Sequence, residues 1–451
     1  MRKTLSLLAV ILAVCTAVLA GQGAASAQEF DLLLKGGHVV DAKNGINAVR
    51  DVAIKDGKIA AVAANIQANR ALKTVDVAGF YVTPGLIDIH AHVYRPTYGQ
   101  GFRADNSMVY PDGFSFRAGV TTFVDPGGSG WRNFEDMKDK VIDRSRTRVL
   151  AFINIVGLGS AGGKYEQDLG DMQVKPTADM ALKHKDLIIG VKSAHYAGPE
   201  WDPFTRAVEV GKIANIPVMV DFGSNRPERP LYDLLNKVFR PGDIFTHVYG
   251  GTRGEQDEKT MGPSQALIDG RKRGVLFDVG HGSGSFRWRV SAPVTKAGFW
   301  PDTISTDLHA RSMNDSVRDA LYVMSKMMAL GMPLDKVLTA NTWNAAKAIK
   351  REATLGHLSV GAVADVAVLR VDKGKFGFTD VHGARLTGDQ RLRCQLTLRE
   401  GKVVWDEDSI TRTDWTTLPP NYRGVGDPKW DGYAEPARPA RSGAATTPRE
   451  P

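Results

Sequence analysis

The alternation of hydrophobic and polar positions changes character twice along this chain, and the changes divide it into parts. From residue 30 the apolar runs are short and broken by glycine. Residues 30–41 predict two brief strands about a Gly36-Gly37 turn. Residues 51–62 predict a hairpin with Asp56-Gly57 at its tip, a strong two-residue turn signal. From Leu86 apolar strands alternate with helical stretches. Eight strands are predicted: Leu86–His90, Thr121–Asp125, Val149–Val156, Leu187–Lys192, Pro217–Asp221, Ile244–His247, Gly274–Val279 and Thr303–Asp307. Asp202–Ala214 and Val317–Leu330 carry apolar residues at helical spacing. Strand–helix alternation repeated eight times is the pattern of a (β/α)8 TIM barrel, which takes about 250 residues. After Gly361 the β pattern returns, at 361–370, at Cys394–Leu398 and at 402–405. The expected architecture is therefore α/β. A TIM barrel spans 83–348, and a small β-sandwich is built from both chain ends, 28–82 and 349–410. Residues 411–451 are rich in Pro, Arg, Gly and Thr and poor in aliphatic side chains, which predicts a loosely ordered tail.

The first 27 residues stand apart. Arg2 and Lys3 precede an apolar run from Leu5 to Ala20, and Ala25-Ser26-Ala27 forms a small-residue cleavage pattern before Gln28. This is the pattern of a secretory signal peptide, so the protein is expected to be exported, to the periplasm or beyond the cell. The run is shorter than the roughly 20 residues needed to span a bilayer, and no later stretch is long and apolar enough. Loss of Arg2 and Lys3, with no acid, takes the formal charge from +8 to +6. No basic stripe with interleaved aromatics accompanies that charge, which argues against nucleic acid as a partner. Only Cys394 would remain of the two cysteines, so no internal disulfide is expected. Metal ligands must then come from His, carboxylates and lysine.

The predicted strands end in chemistry. Thr83-Pro84-Gly85-Leu86-Ile87-Asp88-Ile89-His90-Ala91-His92 reads as a turn, a buried strand and a His-x-His pair. Two residues apart on a strand, the imidazoles point the same way and offer a divalent metal two nitrogens. In a barrel the reacting groups gather at the C-terminal strand ends. Strand 2 ends in Asp125, strand 4 in Lys192, strand 5 in Asp221, strand 6 in His247 and strand 8 in Asp307. His281 follows strand 7 in a Gly-rich loop. Asp and Lys are seldom buried unpaired, so packing is a poor explanation for so many of them at one barrel mouth.

The stretch Val82 to His92 resembles the first-strand signature of the amidohydrolase superfamily. Further likeness lies in Phe277 to Phe286, Ile304 to Ala310 and Gly356 to Asp365, and it points to the branch near dihydroorotases and N-acyl amino acid deacylases. The resemblance implies a metal-dependent hydrolase. Its ligands would be His90, His92, Lys192, His247 and Asp307, with Lys192 carboxylated to a carbamate that bridges two metals. One or two divalent ions are expected, zinc first and manganese second. The family commonly has a histidine where this chain has Asp221. An oxygen ligand there makes the second metal differently held, weakly held or absent. Asp307 is the expected acid–base group, and His281 the group that helps polarise the carbonyl. Ser283 with its neighbouring backbone amides, Tyr196 and Arg226 are candidate substrate contacts. Arg229 and Arg287 are further candidates for a carboxylate, and Tyr94, Phe102 and Trp131 for an apolar pocket.

The expected activity is hydrolysis of an N-acyl or O-acyl bond, deacetylase in type, on a small acylated substrate carrying a carboxylate. Cyclic amide hydrolysis, as in dihydroorotases or hydantoinases, is the alternative within the same chemistry. A catalytically silent binding protein would have lost ligands that this chain retains. A metal-free lyase using Lys192 as a Schiff base would leave His90, His92 and Asp307 idle. The substrate and the assembly state, including a homo-oligomer, stay open.

Overall fold

The structure is a computed structural model that describes residues 28–96, 108–223 and 225–434; the expected signal peptide and Phe102 lie outside the described residues. Chain order begins with five strands: β1 (Phe30–Asp41), β2 (Ile46–Lys55), β3 (Lys58–Ala63), β4 (Ala71–Asp76) and β5 (Tyr81–Pro84). Seven more follow, interleaved with helices: β6 (Leu86–Asp88), β7 (Val120–Gly130), β8 (Arg148–Asn154), β9 (Ile188–Ser193), β10 (Val218–Val220), β11 (Ile244–Phe245) and β12 (Leu276–Phe277). The last three are β13 (Val366–Thr379), β14 (Arg385–Arg399) and β15 (Lys402–Asp406).

Strands β6 to β12 lie side by side in chain order, every pair parallel. The predicted eighth strand is irregular yet closes the curl. Thr303 bridges Asp278, beyond β12, and Leu308 bridges Ala91, beyond β6. Backbone bonds run from Val279 N to Thr303 O and from Asp307 N to His90 O. The inner faces are apolar, with Ile87, Ile89, Val124, Leu150, Phe152, Ile189, Met219 and Ile244 packed in one cluster. Helices cover the outside; Asp202–Ile213 and Ala320–Ala329 occupy two of the predicted helical stretches. Side chains fill the barrel, so chemistry is confined to its rim.

The chain ends meet in one mixed sheet of eight strands, ordered β15-β14-β13-β5-β1-β2-β3 with β4 paired to β1. Leu32, Leu34, Val52, Ile54, Val82, Val366, Val368, Leu396 and Leu398 form its buried core. The join is antiparallel, Val82 opposite Val368, and β5 passes through Gly85 straight into β6. One continuous stretch thus belongs first to the end sheet and then to the barrel. The expected turn at Gly36-Gly37 is instead a bulge inside a single strand, where the register of β1 against β2 shifts between Leu34 and Gly37. Gly36 takes a positive φ of 78°, and its N–H is donated to Asp51 Oδ1 at 2.8 Å.

The expectation of a loose tail from 411 is corrected for its first part. Thr411 and the stretch from Trp430 to Tyr433 dock on the end sheet. Trp430 is buried in its core, Val403 N donates to Trp430 O, and Arg412 pairs with Asp431. A composition poor in aliphatic residues is offset by one large aromatic anchor, with Lys73 Nζ 5.3 Å from its ring. Trp430→Ala is expected to destabilise the protein by about 3–5 kcal/mol through loss of buried surface and a residual cavity. Urea unfolding followed by circular dichroism checks this; a shift under about 0.5 kcal/mol, the range of an ordinary surface change, would show that the tail is not part of the fold.

Candidate metal centre and substrate cleft

Two buried carboxylates beneath the barrel rim fix the ends of its strands. Asp88, on β6, accepts His90 N and Thr306 N, both at 3.1 Å, and Thr306 Oγ1 at 2.5 Å, which ties strand 1 to the closing segment. Burial pushes its carboxyl up to about 7 against these bonds, which lower it. Asp278 accepts the hydroxyls of Thr246, Thr303 and Ser305 at 2.6–2.8 Å and so joins strands 6, 7 and 8. The Thr246 hydroxyl spends its proton on Asp278, so its oxygen is left to accept from His90 Nδ1 at 3.1 Å. That assigns the proton to Nδ1 and leaves the Nε2 lone pair pointing into the cleft.

At the rim, His90, His92 and Asp307 each offer an atom within 4.8 Å of the others. His92 Nε2 lies 3.0 Å and His90 Nε2 3.5 Å from Asp307 Oδ1. Lys192 Nζ is 3.5 Å from His90 Nε2 and its side chain is buried. Burial, then the nearby Lys192 charge, lowers His90 to about 3, so the ring is neutral at ordinary pH. Burial alone would raise the Asp307 carboxyl, but His90 and His92 outweigh it and hold the group far below the usual range, ionised. Burial also lowers the Lys192 amine, opposed by Asp221 and Asp307. Two imidazoles and an ionised carboxylate converging on one point are the donor set of a divalent cation, and these residues fit one. Gly282 has a positive φ of 52° and sits against this group; a Cβ there would lie 2.1 Å from Asp307 Oδ2.

Asp221 and His247 occupy the other side of the cleft. His247 donates Nδ1–H to Gly280 O at 2.5 Å, which turns Nε2 towards Asp221 Oδ2 at 3.5 Å. His195 Nε2 is also 3.5 Å from that oxygen, while its Nδ1 bonds Glu166 Oε2 at 2.6 Å. The second Asp221 oxygen accepts from Arg253 Nη2 at 2.8 Å. Burial would raise the Asp221 carboxyl, but Arg253 and then His247 hold it well below its ordinary value. Three non-glycine residues here, His195, His247 and Asp307, have φ between 49° and 67°. Left-handed backbone at residues of this kind is strained, and it clusters where function demands a fixed aim. The cleft has a volume of about 540 Å³; Arg95, Glu166, His195, Ser283 and Arg311 are on its walls, with the ligand residues at its floor.

Of the residues expected at the site, His90, His92, Lys192, Asp221, His247, Asp307 and Ser283 all line this cleft, as does Tyr94. His281 does not. It is buried, stacks on Phe286 at 4.5 Å, and engages Gly282 O through Nδ1 and Lys326 Nζ through Nε2. Burial and the adjacent Lys326 push its pKa well down, so it is a neutral strut for the Gly-rich loop. Tyr196 lies outside the lining, its hydroxyl bonded to Glu200. Arg226 and Arg287 are also outside it. Arg229 is buried against Phe204 and Phe222 and donates to Gly198 O and Tyr196 O. Asp125 accepts the N–H groups of Val93, Tyr94 and Gly128 and clamps the loops beside His92. Glu166, Arg253, Thr246 and Asp278 were not among the expected site residues. Glu166 lies in a short 3-10 helix, Gly163–Gln167, and Arg253 in a loop, neither with a strand-end signal, whereas Asp278 directly follows β12 and was visible as an acid in an apolar run.

Comparison with known proteins agrees with this geometry. A sequence model of the amidohydrolase family matches residues 291–404. A deacetylase of Agrobacterium fabrum is 31% identical over 339 residues, covering 73% of this chain and 80% of the relative. A crystal structure of an adenine deaminase superposes with a TM-score of 0.76 at 28% identity, covering 84% of this chain and all of that one. A dihydroorotase crystal structure gives 0.72 at 28% identity over 83% of this chain and 99% of that one. From this likeness, the chain belongs to the amidohydrolase family, within its deacetylase and dihydroorotase-like branch.

Proposed function

We propose that this protein is a metal-dependent hydrolase of the deacetylase type, cleaving an amide or ester bond in a small acylated molecule. The observation that carries this is the convergence of His90, His92 and Asp307 within 4.8 Å at the floor of an open cleft, with Lys192 beside them. In this reading His90, His92 and Asp307 hold a divalent ion. Lys192 joins them as a carbamate, formed when its neutral amine adds carbon dioxide and releases a proton, for which a desolvated amine of lowered pKa is the reactive form. When bound, such an ion, zinc or manganese, would supply Lewis acidity toward a carbonyl and water. The rest falls to the chain. Asp307, ionised and aimed by its left-handed backbone, takes the proton of the attacking water and returns it to the leaving nitrogen or oxygen. The Ser283 loop at the cleft wall binds the substrate's polar groups. Arg95 and Arg311 on that wall are the guanidinium type that recognises a substrate carboxylate. Beside the barrel, we read the end sheet as folded over into a small β-sandwich.

Similarity to the dihydroorotase structure favours a second reading, a cyclic amidase built on the same residues. Turnover of N-acetyl amino acids and acyl hydroxy acids against dihydroorotate and hydantoins separates the two. Rapid hydrolysis confined to the cyclic compounds would replace the first reading with the second.

Asp307→Asn keeps the shape and removes the proton acceptor. Activity is expected to fall by about two or more orders of magnitude with the fold intact by circular dichroism. Near-normal turnover by this variant would exclude the acid–base role. A pH effect follows from His195. Partial desolvation would lower its pKa, but Glu166 and Asp221 outweigh it and raise it from 6.5 to about 9. A raised pKa stabilises the fold fully below the unfolded value and loses the effect as pH rises through the folded one. Glu166→Gln is therefore expected to lower the melting temperature near pH 6 and to match the wild type near pH 10. The difference is no more than about 1 kcal/mol, because the imidazole is half-exposed to water. A gap between the two proteins that stays constant from pH 6 to 10 would remove the charged pair from the account.

A further inference from the structure

Asp221 stands at the end of β10, where a second cation would need a ligand, and its partners are already charged groups of the chain. We propose that the Arg253 guanidinium takes the place of a second cation in this cleft, so that the protein holds one divalent ion per chain, on the His90 side. The inference rests on the metallohydrolase reading and concerns how many ions it uses.

Three features carry it. The first is the ion pair itself. Asp221 Oδ1 accepts from Arg253 Nη2 at 2.8 Å, and both residues are buried. A guanidinium does not lose its proton in a protein, so this positive charge is permanent. The second is that Arg253 cannot readily swing away. Its backbone N–H donates to Glu255 Oε2 at 2.7 Å and its Nη1 lies 3.6 Å from Glu255 Oε1. Glu255 has no exposure to water, and Gly251 N also donates to it at 3.0 Å. Moving the guanidinium would strand two buried carboxylates, which is strongly unfavourable. The third is geometry. His247 Nε2 and His195 Nε2 each lie 3.5 Å from Asp221 Oδ2. Yet among the described residues the group within 4.8 Å of one another is His90, His92 and Asp307, and Asp221 with its two histidines does not form a second one. A divalent ion on Asp221 Oδ2 would sit within a carboxylate's width of a fixed like charge, with donors too far apart to enclose it.

The test is a metal count on the full chain. Protein equilibrated with excess Zn²⁺, and separately Mn²⁺, then freed of loose metal by gel filtration, is measured by inductively coupled plasma mass spectrometry. One equivalent per chain is expected for each metal. Two equivalents, or a second anomalous peak beside Asp221 in crystals grown with excess Zn²⁺, would overturn the inference and leave the metallohydrolase reading standing. No retained metal would overturn both. The double variant Asp221→His, Arg253→Ala restores an imidazole and removes the cation, and it is expected to gain a second equivalent. A folded double variant that still retains one would show that this pair is not what excludes the ion. The wild-type count decides the question even if that variant does not fold.

Discussion

The rest of the site depends on the need to satisfy two carboxylates buried under the barrel rim. Asp88 and Asp278 have no exposure to water, and an unpaired buried acid costs far more than a hydrogen bond returns. Each is satisfied only by groups drawn from different strands. Asp88 takes its donors from His90 and Thr306, and Asp278 from Thr246, Thr303 and Ser305. The closing segment is held in the barrel by these bonds together with its backbone bonds to the strands on either side. Satisfying Asp278 also orients Thr246, and Thr246 selects the His90 tautomer that presents Nε2 to the cleft. Fold closure and ligand aim are thus two consequences of one network.

Electrostatics then divides the cleft into unlike halves. On one side stand the neutral ring of His90, the ring of His92 and an ionised Asp307, a donor set that suits a cation. On the other, the negative charge of Asp221 is already met by Arg253 and flanked by His195, which Glu166 supports. The donor set that could hold an ion lies on the His90 side, whereas the Asp221 carboxylate is already engaged by a buried guanidinium.

The barrel was legible because its signal is repeated. Seven of the eight predicted strands are strands, shifted by a few residues at their ends, and polar residues closing apolar runs located the rim. The eighth is not a continuous strand, yet its backbone bonds both neighbours, through Val279 N to Thr303 O and His281 N to Ser305 O on one side and Asp307 N to His90 O and His92 N to Leu308 O on the other. His-x-His and Asp307 were readable because spacing and strand end coincide. His281 was misplaced in expectation because position along the chain puts it at the rim, whereas Lys326 and Phe286, distant in sequence, draw its ring inward. Arg253 was invisible for a related reason. Its meaning comes from Asp221, 32 residues earlier, and only the fold brings the two together. The tail from 411 misled because average composition hides a single anchor such as Trp430.

The path from β5 through Gly85 into β6 explains why the two chain ends matter to a site they do not touch. Val82 pairs with Val368 in the end sheet, while Leu86 and Ile87 enter the barrel two turns of pleat before His90. A Cβ on Gly85 would meet Thr121 Oγ1 at 2.3 Å, so the chain crosses between the bodies at close contact and has little freedom there. The hairpin of β13 and β14 makes a second tie. Lys326 Nζ, buried in the helix Ala320–Ala329, donates to Thr379 O at the end of β13, to Ser316 O and to His281 Nε2. All three protons of the amine are used, on the end sheet, on the loop before the helix and on the Gly-rich loop beside Asp307. Position at the rim is therefore set from both flanks, through β6 to His90 and through Lys326 and His281 to Gly282 and Asp307. A barrel strand only two or three residues long, as β6, β11 and β12 are, cannot fix an imidazole by its own ladder. The aim of the ligands is supplied by these long-range polar ties, and the end sheet is one of their anchors.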